Sequence, residues 1–338
     1  MTLTDEFIEV FEVWEEARPY LSMMVEREEM QLVVAVQGGT VTVEEAARLL
    51  ASSPAQAASL LRRAYERHVV DKVVEEGIAK YRPSTFSHRL DHFAKFENWD
   101  EIPLGDRRRI NRRFLDEFVD RHRANVSRMM RGVQPEGEVP NDAVLLLHEV
   151  EAILEQATYI IVQPCDCRRL GQNCDRPVET CIWLDDAAVE ALDRGHGRRL
   201  TREEAIALVR RADKAGLMHT GDASALLSSG AEQPLHELHA ICNCCACDCY
   251  PFLAARELGS KGVWPRNRYV AIRDAERCNL CGACVKRCHF EAFYHDGTEV
   301  EVDGKVKKNV VYDPDRCWGC GLCANTCPSE AIVMEPLA

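Results

Sequence analysis

No cysteine precedes Cys165 in this 338-residue chain, although 17 lie from that point onward. Core packing would scatter them, so the one-sided distribution points to a dedicated task. Structural disulfides fit poorly: the number is odd, and the opening MTLTDEFIEVFEVWEE is acidic, without the basic, apolar and small-residue order of a secretory signal. The expected compartment is the cytoplasm, where thiols stay reduced and a cysteine cluster more often holds metal. Long apolar runs are missing too. The stretches 32–36 and 159–162 fall far short of the roughly 18–20 residues a membrane helix needs, so no membrane span is expected. Nor is there an excess of positive charge. The net charge of −13 argues against broad binding to nucleic acid, which depends on Lys and Arg neutralising phosphates. No glycine group has the strand, GxGxxG, helix setting of a nucleotide or flavin site. What is present, 46% hydrophobic and 29% charged residues, is ordinary for a globular protein, and the length calls for two or three domains.

The N-terminal part reads as mainly helical. Residues 5–30 form an acidic amphipathic pattern broken by Pro19, which predicts two helices. Thr42 and Glu45 make a capping box ahead of Ala46, Leu49 and Leu50, while Ser53 and Pro54 supply the N-cap and first position of a helix through Leu60, Leu61, Ala64 and Tyr65. Segment 69–83 alternates apolar and polar residues around Gly77 and reads as a hairpin. Helix, helix and hairpin is the order of a winged helix, and residues 25–90 resemble that fold in arrangement. A DNA-binding reading would use Gln56, Arg62, Arg63 and Arg67; docking or dimerisation is favoured because the surroundings are acidic. Between 106 and 131, nine Arg face four acidic residues on a helical pattern that begins RRRINRR. A solvated face paired with the acidic N-terminal segment is favoured there over a docking surface for an acidic partner. The stretch 132–140, punctuated by Gly and Pro, is the expected domain boundary.

Beyond it, Val144, Leu147, Val150, Ile153, Leu154 and Ala157 recur at helical spacing and predict a core-facing helix that runs into 159–162. Thr201 and Glu204 cap a second helix, which Gly216 should end. The stretch 220–234, rich in Gly, Ser and Ala, reads as a loop.

The C-terminal part carries the sharpest signal. CNLCGACVKRC at 278–288 and CWGCGLCANTC at 317–327 share the spacing CxxCxxCxxxC, and the constant offset of 39 residues also superposes Arg277 on Arg316, Glu291 on Glu330 and Ala292 on Ala331. This is an internal duplication. Two residues between ligands let a tight loop wrap three thiolates around one iron cube with backbone amides aimed at the sulfides, and Gly282 and Gly321 ease the wrapping. The fourth cysteine of each run then ligates the other cluster. One cluster is therefore assigned to Cys278, Cys281, Cys284 and Cys327, the other to Cys317, Cys320, Cys323 and Cys288. Structural zinc favours pairs of CxxC rather than triplets with a trailing cysteine.

Residues 268–338 thus resemble the bacterial 2[4Fe-4S] ferredoxin family. The resemblance implies a pseudo-symmetric fold of two hairpins and two short helices around two clusters that exchange electrons rapidly. Pro328 follows the second run as in that family, whereas His289 stands where the first would have proline; a tolerated surface substitution is the favoured reading. Between the runs, residues 295–313 form an insertion in which Gly297 and Gly304 mark turns of an extended hairpin.

Nine cysteines remain: Cys165, Cys167, Cys174 and Cys181 in one group, and Cys242, Cys244, Cys245, Cys247 and Cys249 in a second. With the PCxCR run at 164–168 and AGLxH at 215–219, these blocks resemble multi-cluster 4Fe-4S proteins of anaerobes, a resemblance that confers no general activity; Asp248 interrupts the denser run such proteins show. Nine nearby thiols favour a metal. A third iron–sulfur cluster drawing on both groups is the leading expectation, with a zinc site or a larger iron–sulfur centre as alternatives. Adjacent Cys244 and Cys245 should face opposite ways, leaving at least one for another centre or as a free thiol. Arg168 and Arg169 either tune the thiols or solvate the surface. His196, His219, His236 and His239 read as polar surface, and Trp183, Trp264 and Trp318 as cover for cysteine-rich segments.

The expected fold is α+β and multidomain: a mainly helical part with a winged-helix arrangement at 1–132, a cysteine-rich middle domain at 141–265 and a two-cluster ferredoxin domain at 266–338. The expected role is an electron carrier with a redox partner protein, and the N-terminal domain is a candidate for homo-oligomer formation. The alternatives are a reductase whose middle centre is the active site, and a redox-sensing DNA-binding regulator.

Overall fold

The computed structural model describes residues 1–134, 136, 142–222, 239–302 and 304–337. Two compact units divide the chain. The first comprises Met1–Glu117, Arg169–Gly171 and Ala191–His196; the second comprises Phe118–Arg168, Gln172–Glu190 and Gly197–Ala338.

The first unit is mainly helical: α1 (Leu3–Val10), a 3-10 helix (Glu15–Tyr20), α2 (Leu21–Met24), α3 (Arg27–Val36), α4 (Val43–Leu49) and α5 (Pro54–Glu66) precede a hairpin of β1 (Val70–Glu75) and β2 (Ile78–Pro83), then α6 (Phe86–Phe96) and the start of α7 (Leu104–Met130). The opening segment is four short pieces rather than two helices. Glu12, in the left-handed region at φ 54°, ends α1, and Pro19 sits in the tighter 3-10 turn. Thr42 with Glu45 and Ser53 with Gln56 form the capping boxes that start α4 and α5. The hairpin pairs Glu75 with Ile78, and Val41 makes an isolated antiparallel bridge to Tyr81. Phe7, Leu32, Leu61, Phe93 and Trp99 fill the core.

Every arginine of the DNA-binding reading is spent inside this unit: Arg62 pairs with Glu66 at 2.6 Å, Arg63 with Glu28 at 2.8 Å and Arg67 with Glu29 at 3.1 Å. Arginines of α7 pair with carboxylates outside the acidic N-terminal segment expected to face them. Their partners include Asp100, just before the helix, for Arg107, and Asp116, one turn away on the same face, for Arg112. The N-terminal segment contributes Tyr20, which bonds Asp106, and Trp14, which lies under Arg113.

The second unit is built on an antiparallel six-stranded sheet of β3 (Asp142–Leu145), β4 (Ile160–Pro164), β5 (Glu179–Leu184), β6 (Arg198–Arg199), β7 (Met218–Asp222) and β8 (Ala240–Cys244), in the order β3-β7-β8-β5-β4-β6. Helix α8 (Leu147–Gln156) and helix α11 (Arg202–Lys214), separated in the chain by α9 (Asp166–Gly171) and α10 (Asp185–Asp193), pack Val150, Ile153, Leu154, Leu208 and Val209 on Val162, Ile182 and Ile241. The long helix expected from 144 to 162 is therefore strand, helix, strand. Residues 143–145 and 160–162 are buried throughout, and a continuous apolar run looks alike in a buried strand and a buried helix. Helix α11 begins at the Thr201 capping box and ends before Gly216, at φ 82°, as expected. Residues 220–222 lie in β7 rather than a loop; the rest of the expected loop, 223–234, and His236 lie outside the described residues, as do 135 and 137–140 of the expected boundary.

The opposite face of β8 meets α12 (Tyr250–Leu258) and the C-terminal part. There β9 (Tyr269–Arg273) pairs with β14 (Ile332–Pro336), β10 (Phe293–Tyr294) pairs with β13 (Val311–Tyr312), and α13 (Ala283–Arg287) packs beside α14 (Leu322–Thr326). The insertion forms its own hairpin, β11 (Glu299–Val302) with β12 (Lys305–Lys308). Among the described residues, no helix is long and apolar enough to cross a membrane.

Candidate metal centres

The duplication in the C-terminal part is visible in the backbone. Gly282 and Gly321 begin the two short helices at φ 70° and 77°, Leu280 and Gly319 share the left-handed region at 57° and 67°, and so do Glu291 and Glu330 at 55° and 49°. Each pair differs by the 39-residue offset. The amide of Ala292 donates to Cys288 Sγ at 3.2 Å and that of Ala331 to Cys327 Sγ at 3.3 Å, so the last thiol of each run receives the same backbone hydrogen bond. Arg277 reaches Glu330 at 3.3 Å and Arg316 reaches Glu291 at 3.9 Å, each arginine pairing across to the other half.

One cavity brings Cys288 of the first run together with Cys317, Cys320 and Cys323 of the second, lined otherwise by apolar groups including Phe290, Phe293, Trp318 and Met334. Burial pushes the Cys320 thiol up to about 12, with the neighbouring Cys317 and Cys288 adding to it; burial likewise raises Cys284 to about 11, with Cys278 and Cys281 adding. Thiols held up this way stay protonated unless positive charge lies among them, which the iron of a cluster would supply. Four thiols around an apolar cavity, with backbone amides donating to sulfur, fit a [4Fe-4S] group.

The nine other cysteines separate into two collections across β8. Alternation along the strand sends Cys242 and Cys244 to one face. Cys244 Sγ lies 3.3 Å from Cys249 Sγ and 3.4 Å from Thr220 Oγ1, and it also contacts Cys242; Cys249 contacts Cys167, which in turn neighbours Cys165. Hydrogen bonds from Cys242, Cys249 and Thr220 hold Cys244 down to about 6. Cys181 stands beside this collection, one step along the ladder that pairs Ile182 with Ile241 and hence on the face of Cys242.

Cys245 faces the other way. Its Sγ is 3.8 Å from Cys174 Sγ, Cys247 adjoins both, and ligand atoms of Cys174, Cys245, Cys247 and Asp248 lie within 4.8 Å of one another. Asp248 Oδ2 accepts from Cys174 at 3.3 Å and from Cys245 at 3.5 Å. Sequence reasoning treated Asp248 as an interruption; its place between two cysteines was the available signal that it shares their site. Burial raises Cys247 to about 11. Three sulfurs and one carboxylate oxygen are a donor set suited to a tetrahedral zinc-class ion.

Between the two collections lies a buried polar network. Arg168, 2% exposed, donates to the Asn243 carbonyl at 2.7 Å and the Pro177 carbonyl at 3.0 Å, bonds Thr180, and brings its guanidinium 3.9 Å from Cys245 Sγ. It is not a surface solvating group. Arg169 belongs to the first unit, where it holds the Ala94 carbonyl and Asp100. His219, 1% exposed rather than polar surface, lies on the sheet face opposite Cys242 and Cys244, where its Nδ1 bonds Asn243 Oδ1 at 2.8 Å, while Asn243 Nδ2 donates to Thr180 O at 2.7 Å.

Two further histidines depart from expectation. His289 is not a surface substitution: its Nε2 lies 2.6 Å from the Gly216 carbonyl, beside Arg287, which donates to the Asp213 and Lys214 carbonyls at 3.1 and 2.5 Å. A proline would lack that imidazole anchor. His196 is 8% exposed rather than polar surface, while His239 is exposed. Trp318, stacked on Phe290 at 4.8 Å, covers the thiols as expected, in one apolar cluster with Cys244, Cys249 and Cys320. Trp264 is buried against Phe118 and His122 instead, and Trp183 is half-buried in β5.

No curated protein and no solved structure matches the chain. Residues 277–331 match the family model of the 4Fe-4S dicluster domain, so this part of the chain supports an iron–sulfur electron-transfer role.

Proposed function

We propose that the protein is an iron–sulfur electron carrier serving a redox partner protein. Two [4Fe-4S] clusters would be held in the C-terminal part, one by Cys278, Cys281, Cys284 and Cys327, the other by Cys317, Cys320, Cys323 and Cys288. The observation that carries this reading is the apolar cavity in which Cys288 joins the three thiols of the other run. A further cluster would draw its ligands from Cys165, Cys167, Cys242, Cys244 and Cys249, with Cys181 at its edge. The shared apolar cluster of Cys244, Cys249, Trp318 and Cys320 supports direct electron exchange between that centre and the adjoining cube, because it is apolar and closely packed. Cys174, Cys245, Cys247 and Asp248 would bind a separate zinc-class ion that fixes the loop rather than carrying electrons.

For the N-terminal unit we favour a winged-helix arrangement used for docking or dimerisation. The internal ion pairs of Arg62, Arg63 and Arg67 support that over a DNA-reading helix, which needs such groups free for phosphates and bases.

The experiment is electron paramagnetic resonance of anaerobically reduced protein, comparing the parent with Cys320→Ser and Cys284→Ser. The interaction between the two cubes of the C-terminal part should appear in the parent, and each variant should lose that interaction while keeping the signal of the other cube, beside any signal of the middle centre. An unchanged spectrum in both variants would defeat the assignment.

A further inference from the structure

The first unit contains a group of side chains that the electron-transfer reading leaves unused. His68 follows α5, His92 lies on α6 and His196 follows α10; ligand nitrogens of the three lie within 4.8 Å of one another. His92 and His196 are 6% and 8% exposed, while His68 is half-buried and gives the group an edge toward solvent.

Two of the rings are pinned, and each of the three leaves a nitrogen over. His92 Nε2 lies 3.2 Å from Glu97 Oε1, and its Nδ1 is buried without a hydrogen-bond partner. His196 Nε2 lies 2.6 Å from the Glu66 carbonyl, which leaves Nδ1. His68 Nδ1 is likewise buried and without a partner. Buried polar nitrogens in folded proteins almost always find a partner, so two orphans in one place need an explanation. Carboxylate and carbonyl groups behind the rings are the usual outer partners of metal-bound imidazoles, fixing the tautomer and raising ligand basicity.

Ring spacing agrees. Three imidazoles at about 2.0–2.1 Å from a tetrahedral ion have centroids roughly 5 Å apart. The observed separations are 4.7 Å for His92 with His196, 5.3 Å for His68 with His196 and 5.8 Å for His68 with His92. Cations close by do not oppose a dication outright, because each is answered by a carboxylate: Arg89 by Glu97, Lys95 by Asp91 and Arg194 by Asp71.

We propose that His68, His92 and His196 form a binding site for one divalent ion of the zinc class, with a fourth position left to water or an exogenous ligand. An all-nitrogen site of this kind differs in donor chemistry from every cysteine collection in the chain, which makes it separable by experiment.

The test adds zinc to the full, cluster-loaded chain under anaerobic conditions and reads ligand type by X-ray absorption at the zinc edge. The expected result is zinc bound by nitrogen at about 2.0–2.1 Å, distinct from thiolate sulfur at about 2.3 Å. His92→Phe and His196→Leu should abolish the nitrogen-bound fraction, and Glu97→Gln should weaken it by about 10- to 100-fold. Zinc bound to sulfur alone in the parent protein, or nitrogen-bound zinc undiminished in both histidine variants, would overturn the proposal. Because the parent spectrum decides by itself, a variant that fails to fold does not rescue the idea.

Discussion

Gly319 offers a sharp perturbation because the structure sets its cost apart from that of other left-handed glycines. A Cβ at Gly319 would lie 2.2 Å from the Tyr269 carbonyl oxygen and 3.0 Å from its carbon, both backbone atoms of β9, at φ 67°. The left-handed conformation alone costs an alanine about 1–2 kcal/mol. Leu280 adopts it at the equivalent point of the first run, so that part is tolerable. The overlap is the larger matter. Tyr269 pairs with Pro336 in the ladder with β14 and cannot retreat freely, and overpacking of this kind adds about 1–3 kcal/mol or more. Gly319→Ala should therefore cost about 2–5 kcal/mol, or roughly 4–20 °C in melting temperature for a unit of this size. Two comparisons isolate the cause. Gly297→Ala, at φ 86° with nothing within 4 Å, should show the conformational cost alone, and Gly321→Ala, meeting only the movable Leu146 Cδ2 at 2.8 Å, should fall between. The assay is anaerobic thermal melting followed by circular dichroism, with iron content measured alongside. Gly319 separates Cys317 from Cys320, so its displacement should also release about half of the iron in the C-terminal part. Equal melting temperatures for Gly319→Ala and Gly297→Ala would refute the reasoning.

Other perturbations follow from the same contacts. Asn243→Ala removes side-chain bonds to His219 and Thr180 and strands both buried partners, so it should cost about 2–6 kcal/mol at about 1–3 per group, read as a lower denaturation midpoint. Cys244→Ser should lower iron and sulfide while leaving zinc unchanged, and Cys245→Ser should do the reverse; matching losses in the two variants would show that the thiols share one centre. His122 is held down to about 4 by burial, with Arg121 adding, so its folded form resists protonation. Stability contributed by its neutral form is complete above the ordinary value of 6.5 and is lost as pH falls from there toward about 4, and His122→Phe should show a smaller drop over that window in pH-dependent melting.

Local chemistry was readable in the sequence wherever it is short-ranged. The capping boxes at Thr42, Ser53 and Thr201 start helices at the expected residues, because their hydrogen bonds close within three positions. The 39-residue duplication was equally plain, since ligand spacing follows from loop geometry. Failure came where apolar runs are buried on all sides: residues 143–145 and 160–162 carry no period, so strand and helix could not be told apart. The division of the middle cysteines was half legible. Adjacency of Cys244 and Cys245 implied opposite directions, but which partner each meets depends on strand pairing and on loops distant in sequence. Asp248 and the His68, His92 and His196 group were invisible for that reason. No spacing rule links residues contributed by three separate segments.

Iron and acid-labile sulfide, counted per chain in protein purified without oxygen, test the central claim most directly. The account predicts at least about eight of each, rising toward about twelve if the collection around Cys244 carries its own cube. Colourless protein with neither iron nor sulfide, or with zinc at the duplicated cysteines, would contradict it.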